Sequence, residues 1–106
     1  MLHKEAREKI EGILQGSISF EGHFNIVFEQ LKESRQNELI DWIKSCREGN
    51  EIPLSSYTTK DLLGFILKFR DTNFRAILTK KKNEYFIALF LDKHKYYEYE
   101  RKKLGI

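Results

Sequence analysis

The sequence predicts an α+β domain: an antiparallel sheet with a C-terminal three-stranded meander, covered by helices, plus an extra helix at the N-terminus. Three observations carry this. Apolar residues recur at spacings of three and four near the N-terminus and again from Leu31 to Cys46, whereas from residue 62 onward they alternate with a period of two. A length of 106 residues at 41% hydrophobic content is enough for one core and too little for two. No internal repeat, low-complexity tract or Pro/Gly-rich linker divides the chain, and its one proline, Pro53, lies in the predicted loop GNEIPLSSYTT.

The elements follow in order. Leu2, Ala6, Ile10, Ile13 and Leu14 fall on one face of a short helix, which Gly16 is placed to end. In SISFEGHFNIVFEQ, Phe24, Ile26 and Phe28 alternate with His23, Asn25 and Val27, so a strand is expected around residues 23–28. Whether SISF forms a separate strand stays open. Leu31, Leu39, Trp42, Ile43 and Cys46 mark the second helix, stopped by Gly49-Asn50. Leu63, Phe65, Leu67 and Phe69 then alternate with Leu62, Gly64, Ile66 and Lys68, which favours a strand. The surrounding TTKDLLGFILKF can also be read as a helix capped by Thr58 or Thr59. DTN is read as a turn, Phe74 to Thr79 as a strand, KKKN as a second turn and Tyr85 to Leu91 as a third strand. The charged, aromatic end DKHKYYEYERKKLGI suits a short terminal helix. Candidate core residues of the sheet are Phe65, Leu67, Phe74, Leu78, Ile87 and Leu89, with the Trp42 helix as their cover.

Composition narrows the function classes. There is no apolar stretch long enough to span a membrane and no signal-like apolar segment at the start, so a cytoplasmic protein is expected. The single cysteine, Cys46, has no partner for an internal disulfide or a paired-thiol metal site, and its spacing from Leu39 and Ile43 makes it a core residue. No HExxH, phosphate-binding glycine loop or nucleophile elbow is present, so neither a metal nor another cofactor is expected. Nineteen Lys and Arg against sixteen Asp and Glu leave a net charge of +3, which favours an anionic partner without identifying it.

The order strand, helix, loop, then LLGFILKFRDTNFRAILTKKKNEYFIALFLDKHKYYEYERKK resembles the RelE/ParE superfamily of bacterial toxins. Its C-terminal half typically runs as a strand ending in Leu-Arg, a short turn, a strand opening with Tyr-Arg, a hairpin, an apolar strand and a basic segment. Phe69-Arg70, Phe74-Arg75 and Lys93-His94-Lys95 stand in these places, and the likeness spans about residues 23 to 103. Members usually begin almost directly with the first strand, and many carry a helical hairpin where one clear helix is legible here. The resemblance therefore implies a single RelE-like domain over residues 1–106, with residues 1–22 as an N-terminal helical extension. It also implies the toxin of a toxin–antitoxin pair: a ribosome-dependent endoribonuclease that cleaves mRNA, held inactive by an antitoxin. The alternative is a non-enzymatic module of the same fold, such as a ParE-type gyrase-directed toxin, a mobile-element protein that binds another protein, or an inert RNA-binding domain.

Metal-free RNA cleavage needs a base for the 2′-hydroxyl, charge stabilisation at the phosphorane and a proton for the leaving 5′-oxygen. Under the resemblance, Arg75 stabilises the phosphate with Arg70 assisting, since a guanidinium fork contacts two phosphate oxygens. His94, whose side chain ordinarily titrates near neutrality, or Tyr97 handles a proton. Tyr96 and Tyr99 stack on bases, while Lys93, Lys95 and the hairpin lysines Lys80, Lys81 and Lys82 contact phosphates. Lysines in a hairpin are also commonly just solvated, strand arginines often pair with carboxylates, and His3 and His23 read as ordinary surface or strand residues.

Overall fold

In the computed structural model, which describes residues 1–53, 62–70 and 73–91, the N-terminal helical period closes into helix α1, His3–Leu14. Ala6, Ile10 and Leu14 are buried at the expected spacing of four, while Leu2 lies just outside the helix and is exposed. Gln15, at φ 53, ends α1 in the left-handed conformation; its N–H donates to the Glu11 carbonyl. The expected stop, Gly16, has a different role. A Cβ there would lie 2.9 Å from the Asn83 carbonyl oxygen and 3.1 Å from the Tyr85 ring, so the missing side chain permits close approach to the distal hairpin.

SISF does form a strand, β1 (Ser17–Phe20). The Arg7 guanidinium lies 4.4 Å from the centroid of the Phe20 ring, tying α1 to β1. The strand expected around residues 23–28 is instead helix α2, Phe24–Gln30. Phe24, Val27 and Phe28, at i, i+3 and i+4, are buried and Ile26 faces out, so the three-and-four spacing overrides the alternation. Helix α3 covers Glu33–Arg47 and buries Leu39, Trp42, Ile43 and Cys46 as the sequence predicts, while Leu31 is buried just before it. Gly49, at φ 80, follows its end. Gln36 is buried among these helices, its amide donating to the carbonyls of Phe28 and Met1.

The meander is β2 (Leu62–Lys68), β3 (Phe74–Lys81) and β4 (Glu84–Leu91), so the helical reading of the run at residues 62–68 is excluded. The expected KKKN turn is shorter than the sequence suggests: Lys80 and Lys81 belong to β3, and only Lys82, at φ 56, and Asn83 form the turn. The four strands lie in the order β1-β4-β3-β2. The sheet is mixed rather than antiparallel, because β1 runs parallel to β4. The helical crossover through α2 and α3 brings the chain back as β2 in the direction of β1, and two reversals return β4 beside it in that same direction.

Helix α1 packs on α2 and α3, α2 on β4, and α3 on β2, all against one sheet face. That face supplies Phe65, Leu78, Ile87 and Leu89, all buried, with Leu67 and Phe74 partly buried against the same core. The face turned away from the helices carries a smaller buried cluster of Ile77, Ala88 and Phe90, flanked by Ile66 and Phe86. Among the described residues, no helix is long and apolar enough to cross a membrane. The DTN turn at Asp71 and Thr72, the Thr58 and Thr59 caps and the proposed terminal helix lie outside the described residues.

Candidate nucleic-acid interface

Strand alternation sorts the basic residues of the meander between the two sheet faces. Lys68 pairs with Arg75 across β2 and β3, one step beyond the Ile66–Ile77 row by two residues, and Arg75 in turn pairs with Phe90. Opposed residues share a face and every second residue returns to it, so Lys68, Arg75 and Lys81 all lie on the face away from the helices. Lys80 lies on the other, beside Leu63 and Tyr85, with its Nζ 5.7 Å from the Tyr85 ring centroid. The three lysines do not share one face: Lys80 turns toward the helices, Lys81 away from them, and Lys82 occupies the left-handed turn position.

At the opposite end of the hairpin, Lys68 is exposed, Arg75 is half-buried and Arg70 is exposed in the turn that joins β2 to β3. The Phe69 N–H donates to the Phe74 carbonyl at 3.4 Å, which closes that turn. Arg35 on α3 braces it, with Nη1 donating to Glu38 at 2.6 Å and Nη2 to the Arg70 carbonyl at 2.9 Å. The Arg75 guanidinium donates to the Phe74 carbonyl at 2.8 Å, which holds its stem along the strand end. Arg70 and Arg75 are thus brought to one end of the sheet, as their flanking of a single turn suggests. Lys81 is six residues along β3 from Arg75, about 20 Å at about 3.3 Å per residue, and so marks the far end of the same face.

The residue that sequence reasoning passed over is Lys68. Its signal was present in the alternation that groups it with Ile66, but its neighbour across the turn depends on the register, which places it directly opposite Arg75. The proposed proton-transfer residues His94 and Tyr97, and the proposed RNA contacts Lys93, Lys95, Tyr96 and Tyr99, lie outside the described residues.

The two N-terminal histidines are accounted for on the surface. His3 pairs through Nδ1 with Glu29, linking α1 to α2, and this hydrogen bond holds the Glu29 carboxyl below its usual range. His23, expected within a strand, instead precedes α2 and pairs with Glu21 at 2.9 Å. Among the described residues no group of three or more His, Cys, Asp or Glu is arranged to hold a metal ion. The chain matches no family model, no curated protein and no solved structure.

Proposed function

We propose that this chain is the toxin of a toxin–antitoxin pair, a RelE-like endoribonuclease that cleaves mRNA on the ribosome and is held inactive by an antitoxin. The observation that carries the reading is the cationic end of the sheet, where Lys68 faces Arg75 across the strands and Arg70 stands in the adjoining turn. The two side chains bring a guanidinium and an ammonium to one place on the sheet, a combination suited to a phosphate. Arg75, held by the Phe74 carbonyl on a paired strand, with Arg70 in the turn whose backbone Arg35 braces, supplies cations at one sheet end for charge that develops on a phosphorane. The element order supports the same reading, since a strand, two helices and a three-stranded meander follow one another from Ser17 to Leu91. Lys81 at the far end of this face serves as a phosphate contact removed from the chemistry. The antitoxin covers the end of the sheet that bears Arg75 with an acidic segment, so their association weakens with salt.

Induced expression in bacteria, with the 5′ ends of cellular mRNA mapped by primer extension, tests the activity. New ends within coding regions are expected, whereas growth arrest without them transfers the reading to a binding module of the same fold. Single-turnover cleavage of ribosome-bound mRNA then tests the residues. Folded Arg75→Ala is expected to be slower by about 10² to 10³, the cost of removing one preorganised donor from a developing oxyanion. Lys81→Ala is expected to weaken binding and its salt dependence while leaving the saturated rate close to normal. Undiminished cleavage by Arg75→Ala removes the central residue from the mechanism.

A further inference from the structure

Lys80 breaks the pattern of the sheet face on which it lies. Every other position of β2, β3 and β4 on the helix side is apolar or aromatic: Leu63, Phe65 and Leu67; Phe74, Ala76 and Leu78; Tyr85, Ile87, Leu89 and Leu91. Lys80 alone carries a charge there, in register between Leu63 and Tyr85. Such a position is normally filled by a hydrophobic residue, because a strand paired on both sides offers an inward ammonium little water.

The space beside it explains the exception. A cleft of about 360 Å³ opens between this end of the sheet and the last turn of α3. Leu63, Phe65, Leu78 and Tyr85 form its floor and Cys46 part of its wall. Among the described residues the charged lining is Lys80, Arg47 and Glu51, two cations against one carboxylate. Glu51 acts on the Cys46 thiol, so the negative lining charge is felt on the α3 side. Lys80 stands on the sheet side, and among the described residues it has no carboxylate within 4.0 Å, only the Tyr85 ring. The volume lies near the lower end of the range for ligand pockets, about 300 to 1,000 Å³.

We propose that this cleft binds a small organic monoanion with an apolar body, its carboxylate on the Lys80 ammonium and its hydrocarbon over Phe65, Leu78 and Tyr85. Arg47 at the end of α3 adds attraction for the anion, while Glu51 disfavours a second negative charge. Lys80 and Arg75 lie on opposite sheet faces, so the site is separate from the proposed RNA surface and does not rest on that reading.

The test is a titration of the ¹⁵N-labelled full-length protein with octanoate, followed by amide shifts, with octanol as the uncharged counterpart. Saturable shifts are expected at Leu63, Phe65, Leu78, Lys80 and Tyr85, together with slower modification of the Cys46 thiol. Lys80→Met keeps the aliphatic stem and removes the charge; it should weaken octanoate by about 10- to 100-fold, as expected for one lost charge-assisted contact, and leave octanol unchanged. Arg47→Gln, at an exposed helix end, is the second variant should Lys80→Met fail to fold, and it should also weaken octanoate but not octanol. Lys32→Gln, distant from the cleft, should bind octanoate like the parent. No saturable shift, shifts scattered over the surface, or unchanged octanoate binding in the folded cleft variants would overturn the proposal.

Discussion

Cys46 illustrates how one side chain couples burial to pH. It is buried in the last turn of α3, and its thiol is pushed up from 9.0 to about 12, first by burial and then by the charge of Glu51. The unfolded chain releases this proton from about pH 9, whereas the folded chain holds it until about pH 12. The thiol's contribution to stability is therefore intact below the ordinary thiol range and is lost as pH rises through the folded value. In urea unfolding, Cys46→Ala is expected to be less stable than the parent at pH 7 and to lose stability less steeply between about pH 9 and 11. Equal slopes would exclude the thiol from the alkaline dependence. Burial of Cys46 was legible from its spacing with Leu39 and Ile43, because helical periodicity is a local property. The opposite placement of Lys80 and Lys81 was not, since it depends on the residue at which β3 yields to the turn.

At the scale of elements, residues 24–30 show where a pattern admits two readings. As a strand, Phe24, Ile26 and Phe28 would share one face; as a helix, Phe24, Val27 and Phe28 do. The observed helix leaves Ile26 64% exposed and Phe28 0% exposed, with the Phe24 and Phe28 rings stacked at 5.7 Å. Ile26→Lys is accordingly expected to change stability by no more than about 0.5 kcal/mol, the usual bound for surface substitutions. Phe28→Ala should cost about 3 to 5 kcal/mol through lost burial and the cavity left behind. Chemical denaturation of both variants checks this, and a Ile26→Lys protein that unfolds would restore the strand assignment. The sequence alone could not arbitrate, because the four apolar residues Phe24, Ile26, Val27 and Phe28 fit both periods and the deciding contact, α2 on β4, is long-range.

For the whole molecule, the N-terminal segment is joined to both layers of the fold. Helix α1 buries Ala6, Ile10 and Leu14 in the main core, β1 pairs with β4, and Gly16 fits closely against Asn83 and Tyr85. A chain lacking residues 1–22 should therefore lose its cooperative thermal transition, since it uncovers that core and exposes the edge of β4. A truncated protein with the parent's melting temperature would show that residues 1–22 are dispensable to the fold. The sequence by itself determined α1, α3, the three-stranded meander and most of their inward residues, because each rests on a period read within one segment. It also placed Arg70 and Arg75 around one turn. Only the tertiary structure decided that SISF is the strand beside β4, that residues 24–30 are helical, that Lys68 opposes Arg75 and that Lys80 faces a cleft. Those outcomes depend on register and crossover, and in a sheet with a side-chain period of two, a shift of one residue exchanges the two faces.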